Sequence, residues 1–230
     1  MRAIFVTGTG TDIGKTYVSA IIARTLHDRN LKIAYYKAAV SGADSVEQSD
    51  AGFVNSFASL EQDSRTLLSY LYKRPLSPHL AARTERRYAS LDTIKNSFFA
   101  LGKNYDYVLT EGAGGIICPV VYENDCKLMY SDILKAFGIP ALIVADAGLG
   151  TINHTVLTIS YMQKLGIKVS GVILNRYDEN SMMHQDNLLM IEQLSGVDVI
   201  GVLPVDSIVI KELKKPLEEY FEEPEQTGGR

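Results

Sequence analysis

The stretch Val6-Thr7-Gly8-Thr9-Gly10-Thr11-Asp12-Ile13-Gly14-Lys15-Thr16 constrains the fold more than any other. It follows a short apolar run, Ala3-Ile4-Phe5-Val6, which reads as a buried strand. It precedes Tyr17 to Leu26, where Val18, Ile21, Ile22 and Leu26 recur near the helical period. Strand, Gly-rich loop and helix in that order make this a candidate phosphate-binding loop. Backbone N–H groups of such a loop and of the helix start converge on an anion. Glycine permits positive φ and close approach of backbone to phosphate. Lys15 can reach the outer phosphates, and the Thr16 hydroxyl can ligate Mg²⁺. Gly10, Thr11, Asp12, Ile13, Gly14, Lys15, Thr16 and Tyr17 are therefore the expected nucleotide contacts. The common loop has four residues between its first glycine and the Gly-Lys pair. Counted from Gly8, five stand here, and Thr9 occupies the usual glycine position.

A length of 230 residues with 46% hydrophobic content is enough for one domain with a full core. The formal net charge of -4 and the lack of a basic block argue against a nucleic-acid face. Arg83, Arg86 and Arg87 read as a solvated helix face or a phosphate-adjacent region. Cys118 and Cys126 form neither a metal pattern nor a disulfide framework, so a reducing, cytoplasmic setting is expected. No signal-peptide pattern opens the chain, and no apolar run approaches the roughly 20 residues of a membrane helix. The acidic stretch from about 222 to 230 reads as a fraying tail.

Further strands are expected at 31–36, 105–111, 140–145, 169–174 and 199–204, alternating with helical patterns. This predicts an α/β fold: a doubly wound, mostly parallel sheet with flanking helices and ligands at the strand C-termini. The second strand ends at Lys37, with Ser41-Gly42 beyond it. Asp50 is either a helix-start residue or a metal ligand. Leu67, Leu68 and Leu71 share one possible helical face between Gln62 and Arg74. His79 suits either a structural loop role or a ligand contact. Glu111, at the end of the third strand before Gly112-Ala113-Gly114-Gly115, stands where a Walker-B acid stands. Its carboxylate and the Thr16 hydroxyl are hard oxygen donors for Mg²⁺. Gly148-Leu149-Gly150-Thr151 before a helix is a second candidate anion site. Without a lysine it suits a carboxylate better than a polyphosphate. Ile208 to Phe221 reads as a final amphipathic helix.

Together these residues resemble the dethiobiotin synthetase family of P-loop proteins along nearly the whole chain. The resemblance is carried by Gly8 to Thr16, Lys37 with Ser41-Gly42, Ser49-Asp50-Ala51 and Ser77-Pro78-His79. Glu111 to Gly115, Gly150 to His154 and Asn175 continue it in the same order. Two positions depart from the family pattern: Ala38 stands where proline usually follows the lysine, and Gly10 where an acid is common.

The resemblance implies an ATP- and Mg²⁺-dependent cyclo-ligase of biotin biosynthesis. Its substrates are 7,8-diaminononanoate, CO₂ and ATP, and it is a homodimer with active sites at the interface. It gives Lys15, Lys37, Thr11 and Ser41 catalytic roles and makes Thr16, Asp50 and Glu111 the metal ligands. Lys37, Ser41 and Gly114 meet the diamine, whose carboxylate is held by Gly150, Thr151 and Asn153 of the partner subunit. Asn175, with Leu203, Pro204 and Val205, is assigned to the adenine.

Two other classes compete. Asn175-Arg176-Tyr177-Asp178 is similar to the Asn-Lys-x-Asp signature of GTPases, but no Asp-x-x-Gly of the GTPase kind accompanies it. A MinD/ParA-like ATPase switch would carry another lysine near the loop start, and Thr9 to Ile13 contain none.

Overall fold

The computed structural model describes residues 1–225. In chain order it contains β1 (Arg2–Gly8), α1 (Lys15–His27), β2 (Ile33–Ser41), α2 (Asp50–Phe57) and β3 (Leu68–Tyr72). There follow α3 (Pro78–Glu85), α4 (Leu91–Leu101), β4 (Tyr107–Glu111), β5 (Pro119–Tyr122) and β6 (Lys127–Met129). The last are α5 (Tyr130–Phe137), β7 (Ala141–Asp146), α6 (Thr151–Lys164), β8 (Val169–Tyr177), α7 (Met182–Ser195) and β9 (Val199–Pro204).

Seven strands form one parallel sheet in the order β3-β2-β4-β1-β7-β8-β9. The sheet builds outward in opposite directions from β1, so the loop after β1 lies where crevices open at strand C-termini. Strands covered on both faces need apolar residues on both, and β1 is buried from Ala3 to Val6. One face packs Val18, Ile21 and Ile22 of α1 and Val54 of α2. The other packs Ile94 and Phe98 of α4, Phe137 of α5, Ile159 of α6 and Ile191 of α7. The result is helix, sheet and helix in three layers, as the alternating pattern predicts.

Several expectations need correction. The leucines at 67, 68 and 71 belong to no helix: Leu68–Tyr72 is the edge strand β3. Tyr70 and Tyr72, two residues apart, stack on one face, and that period of two outweighs the leucine spacing. The antiparallel pair β5–β6 and helix α5 were also not anticipated. Strand β2 does not stop near Lys37; Ala38-Ala39-Val40 carry it to Ser41 and leave Lys37 in mid-strand. No helix spans 208–221. Lys211 exchanges both backbone hydrogen bonds with Val202, and Pro216 would interrupt a helix running through it, so only a 3₁₀ turn follows at Leu217–Tyr220. The C-terminal stretch is no fraying tail as far as Glu225. Glu222 pairs with Ala3 and with the Lys168 ammonium, and the Glu225 N–H donates to the Gly138 carbonyl. The remainder of that expected tail lies outside the described residues.

Candidate active site

The loop after β1 turns through Asp12 (φ 58°) and Gly14 (φ 91°), and Gly14 caps α1 with no side-chain hydrogen bond. The first amides of α1 are thus left for a ligand. Lys15 is buried, and its ammonium donates to the Gly10 carbonyl at 2.8 Å.

Sheet register builds the remainder. In the parallel pairing of β4 with its neighbours, Glu111 stands opposite Val6 of β1 and Lys37 of β2. The loop, the lysine and the acid therefore meet across three adjacent strands. The Glu111 carboxylate is fully buried. Its Oε1 accepts from the Thr16 hydroxyl and the Lys37 ammonium, both at 2.8 Å. Its Oε2 accepts from the Tyr35 hydroxyl at 3.0 Å. Lys37 also donates to Asp50 Oδ2 at 2.5 Å. Asp50 opens α2, with Ser49 as its N-cap, so the helix start and the charged contact coexist in one residue.

These charges shift one another. Burial pushes the Lys15 ammonium below its ordinary value, and the neighbouring Lys37 adds to this against the pull of Glu111. Burial alone would lower Lys37 too, but Glu111 and Asp50 hold it above. Asp50 loses solvation, yet Lys37 and Lys15 keep its carboxyl below the usual range. Burial and Glu111 raise Tyr35 well above the tyrosine range, so its hydroxyl stays a donor.

Lys15, Thr16, Lys37, Asp50, Glu111 and Ser41 line one cavity of about 620 Å³, with Thr11, Asp12, Gly14 and Gly114 on its wall. Ser41 reaches it while its hydroxyl donates to the Leu76 carbonyl at 2.6 Å. Cys118 also lines the cavity, and burial pushes its thiol up to about 11. His79 does not line it, although its neighbour Pro78 does.

The base contacts are less well served. Leu203 is fully buried in the core, so its side chain meets no ligand. Pro204 and Val205 line a separate recess of about 350 Å³ with Tyr177 and Asp178. The Asn175 amide donates to the Ile13 carbonyl at 2.8 Å, tying it to the loop. Tyr17 turns its hydroxyl to the Ser207 carbonyl at 3.2 Å. Gly150, Thr151 and Asn153 stand apart from the lysines. Gly150 and Asn153 line an apolar recess of about 460 Å³ beside Leu149, Leu157 and Leu194, and Thr151 is buried.

Thr16, Asp50 and Glu111 offer two carboxylates and a hydroxyl around one point. Among the described residues no three of His, Cys, Asp and Glu gather as a metal cage. A hard-oxygen set of this kind suits Mg²⁺, which keeps waters and takes its other ligands from phosphates. Sequence reasoning missed Tyr35, Arg176 and Asp146. Tyr35 reads only as one aromatic in a buried strand, and the other two become meaningful only through contacts across the fold.

The family model described as an AAA domain matches residues 2–212. The ATP-dependent dethiobiotin synthetase BioD of Brachyspira hyodysenteriae is 49% identical over 221 residues, covering 96% of this chain and 99% of that protein. The chain belongs to the dethiobiotin synthetase family. The protein of the same name from Clostridium novyi is 40% identical, covering 93% of this chain and 92% of its own. Among solved structures, MinD in the MinC:MinD complex of Aquifex aeolicus matches with a TM-score of 0.57 at 17% identity. It covers 89% of this chain and 81% of that one. A ParA family ATPase from Chlorobium tepidum matches with a TM-score of 0.57 at 15% identity, over 90% and 85% of the two chains. At such identities these two show the fold alone. The loop of this chain is thus set in a fold shared with those two structures.

Proposed function

We propose that this chain is a dethiobiotin synthetase that uses its two buried lysines to bring two anions together. Supporting this is one observation: the Lys15 and Lys37 side chains enter the same cavity beside Glu111 and Asp50. The reaction joins CO₂ to one amine of 7,8-diaminononanoate, giving a carbamate and releasing a proton. The carbamate oxygen then takes the γ-phosphoryl group of ATP, and ADP leaves. The second amine attacks the carbamoyl carbon of the mixed anhydride, closes the cyclic urea and expels phosphate.

Carbamate and triphosphate repel each other, and the repulsion is strong in a partly dehydrated cleft. Lys15 sits at the start of α1 for the outer phosphates, and Lys37 faces the reacting group from β2. Mg²⁺, held by Thr16, Asp50 and Glu111, supplies neutralisation of phosphate oxygens. Thr11 donates a hydrogen bond at the cavity wall, the Ser41 oxygen, whose proton goes to Leu76, accepts one from the diamine, and Gly114 gives the diamine room to approach. Tyr35 keeps the Glu111 carboxylate aimed. No nucleophilic side chain is needed, because phosphoryl transfer relies on positioning and charge. Asn175, with Pro204 and Val205, borders the adenine.

The diamine carboxylate is held by Gly150, Thr151 and Asn153 of a second copy. Leu149 and Leu157, strongly exposed beside them, give that copy an apolar surface to cover. No helix among the described residues is long and apolar enough to cross a membrane. A reduced cytoplasmic setting fits two free cysteines, Cys118 and Cys126.

Incubation with the diamine, bicarbonate, Mg²⁺ and ATP, followed by mass spectrometry, should reveal dethiobiotin; its absence would reject the reading. Running GTP and CTP in parallel tests the base assignment, which a strong GTP preference overturns. Mixing a Lys37→Gln chain with an Asn153→Ala chain should produce sites with the wild-type diamine KM if sites are shared between copies. Sites complete within one chain would show only the raised KM of Asn153→Ala.

A further inference from the structure

Arg176 occupies a position that costs the fold more than it returns. Its φ of 59° lies in the left-handed region, which suits glycine and not a long side chain. It is also the extra residue of a β-bulge: β8 advances from Asn175 to Tyr177 while β9 advances only from Leu203 to Pro204. Its ion pair with Asp146, at 2.7 Å, is half-exposed and returns little stability. Bulges and strained residues gather where a side chain must be aimed.

The guanidinium is aimed at the phosphate-binding loop. One arm pairs with Asp146, and the other donates to the Asp12 carbonyl at 2.8 Å. Its neighbour Asn175 donates to the next carbonyl, that of Ile13. A trans peptide points its N–H opposite to its carbonyl. Holding these two carbonyls on the β8 side therefore turns the Ile13 and Gly14 N–H groups away from β8. Among the described residues neither N–H donates a backbone hydrogen bond. These two amides belong to the set that a bound polyphosphate receives. Asp146 is fixed in turn, since its other oxygen accepts from the Gly148 N–H at 2.8 Å.

We infer that Arg176 is a positioning residue for the nucleotide: held by Asp146, it latches the Asp12 carbonyl and presets the loop amides for phosphate. The inference rests on the ATP-binding reading and adds to it a residue that touches neither nucleotide nor diamine. It predicts that affinity for phosphates and stability of the unliganded fold respond oppositely at this position.

Calorimetric titration with Mg²⁺-ADP, and thermal melting without ligand, test it on the full chain. Arg176→Gly removes the latch and relieves the left-handed strain. It should weaken Mg²⁺-ADP binding by about tenfold, the loss expected for one hydrogen bond from a charged donor. Its unliganded melting temperature should hold or rise. Arg176→Lys, with one cationic arm, should fall between Arg176→Gly and the wild type in affinity. Affinity of Arg176→Gly equal to that of the wild type would overturn the latch. So would a fall in its unliganded melting temperature alongside the affinity, which marks a residue of the fold. A wild-type chain that fails to bind Mg²⁺-ADP rejects the nucleotide reading and the latch together.

Discussion

Helices α1 and α6 begin in the same way and are equipped for different work. Each is preceded by a strand of the same sheet and capped by a glycine in the left-handed region, Gly14 at φ 91° and Gly150 at φ 87°. Neither cap makes a side-chain hydrogen bond, so both leave amides for an anion. They differ in what surrounds them. The start of α1 carries Lys15 and faces Lys37, Glu111 and Asp50 in a deep cavity. The start of α6 has Thr151 and Asn153 and opens beside exposed leucines. The comparison teaches that backbone geometry provides for an anion, while neighbouring charge decides how much negative charge the site can take.

Removing charge from the first site should therefore have the largest effect. Lys37→Gln should lower kcat by about 10²- to 10³-fold, by analogy with a lost oxyanion donor. It also leaves Glu111 buried with two donors in place of three. Breaking a buried pair costs about 3 kcal/mol, so the variant should melt earlier in urea at an unchanged m-value. ATP affinity by calorimetry should change far less than kcat. Unchanged product formation would remove Lys37 from the chemistry and leave charge irrelevant to the contrast between the helices.

The two capping glycines provide the next test. An alanine Cβ at Gly14 would clash with the Asn175 amide nitrogen, which is tied to the loop. At Gly150 the nearest atom would be a His154 ring carbon at 3.5 Å, an ordinary contact. Gly150→Ala should thus cost about 1 kcal/mol of backbone strain alone. Gly14→Ala should cost about 2 kcal/mol and weaken ATP binding by about tenfold, because Asn175 must move as well. Equal losses at the two positions would show that Asn175 gives way freely.

Thr151→Ala and Asn153→Ala probe the uncharged site and should do less. Each removes one hydrogen-bonding group, so the diamine KM should rise about fivefold at about 1 kcal/mol, with the ATP KM unchanged. An equal rise in both would contradict the carboxylate assignment.

The first site was more legible in the sequence than the second, for a physical reason. Gly14-Lys15-Thr16 follow the end of β1, Glu111 ends β4, and Lys37 stands opposite Glu111 in the neighbouring strand, so the parallel pairing of adjacent strands brings them together. Residues acting through others left no such trace. Tyr35 is one of two adjacent buried tyrosines, and only the alternation of strand faces sends its hydroxyl, not that of Tyr36, to Glu111. The bulge at Arg176 depends on the register of β8 against β9, which no local pattern encodes. Errors in the fold have the same origin. The edge strand β3 and the irregular stretch after β9 are set by pairing with distant residues, Lys37 to Ser41 for β3 and Val202 for Lys211.

Titration gives the finest discrimination between the two sites. Burial holds Lys15 below the ordinary lysine value of 10.5, whereas Glu111 and Asp50 hold Lys37 above it. The linkage signs are opposite. Stability from Lys37 is present below 10.5 and is lost only as pH rises through its higher folded value. The lowered Lys15 disfavours the fold while charged, a penalty relieved as pH rises toward 10.5. Nucleotide phosphates nevertheless need that charge, so ADP affinity should begin to fall on the alkaline side below 10.5. Lys15→Arg should flatten the profile, since arginine does not titrate there. Affinity for dethiobiotin, whose carboxylate is proposed to meet Gly150, Thr151 and Asn153, should stay flat over the same range. A parallel alkaline fall for both ligands would place a titrating cation at the α6 site as well, and the distinction between the two helix starts would no longer rest on charge.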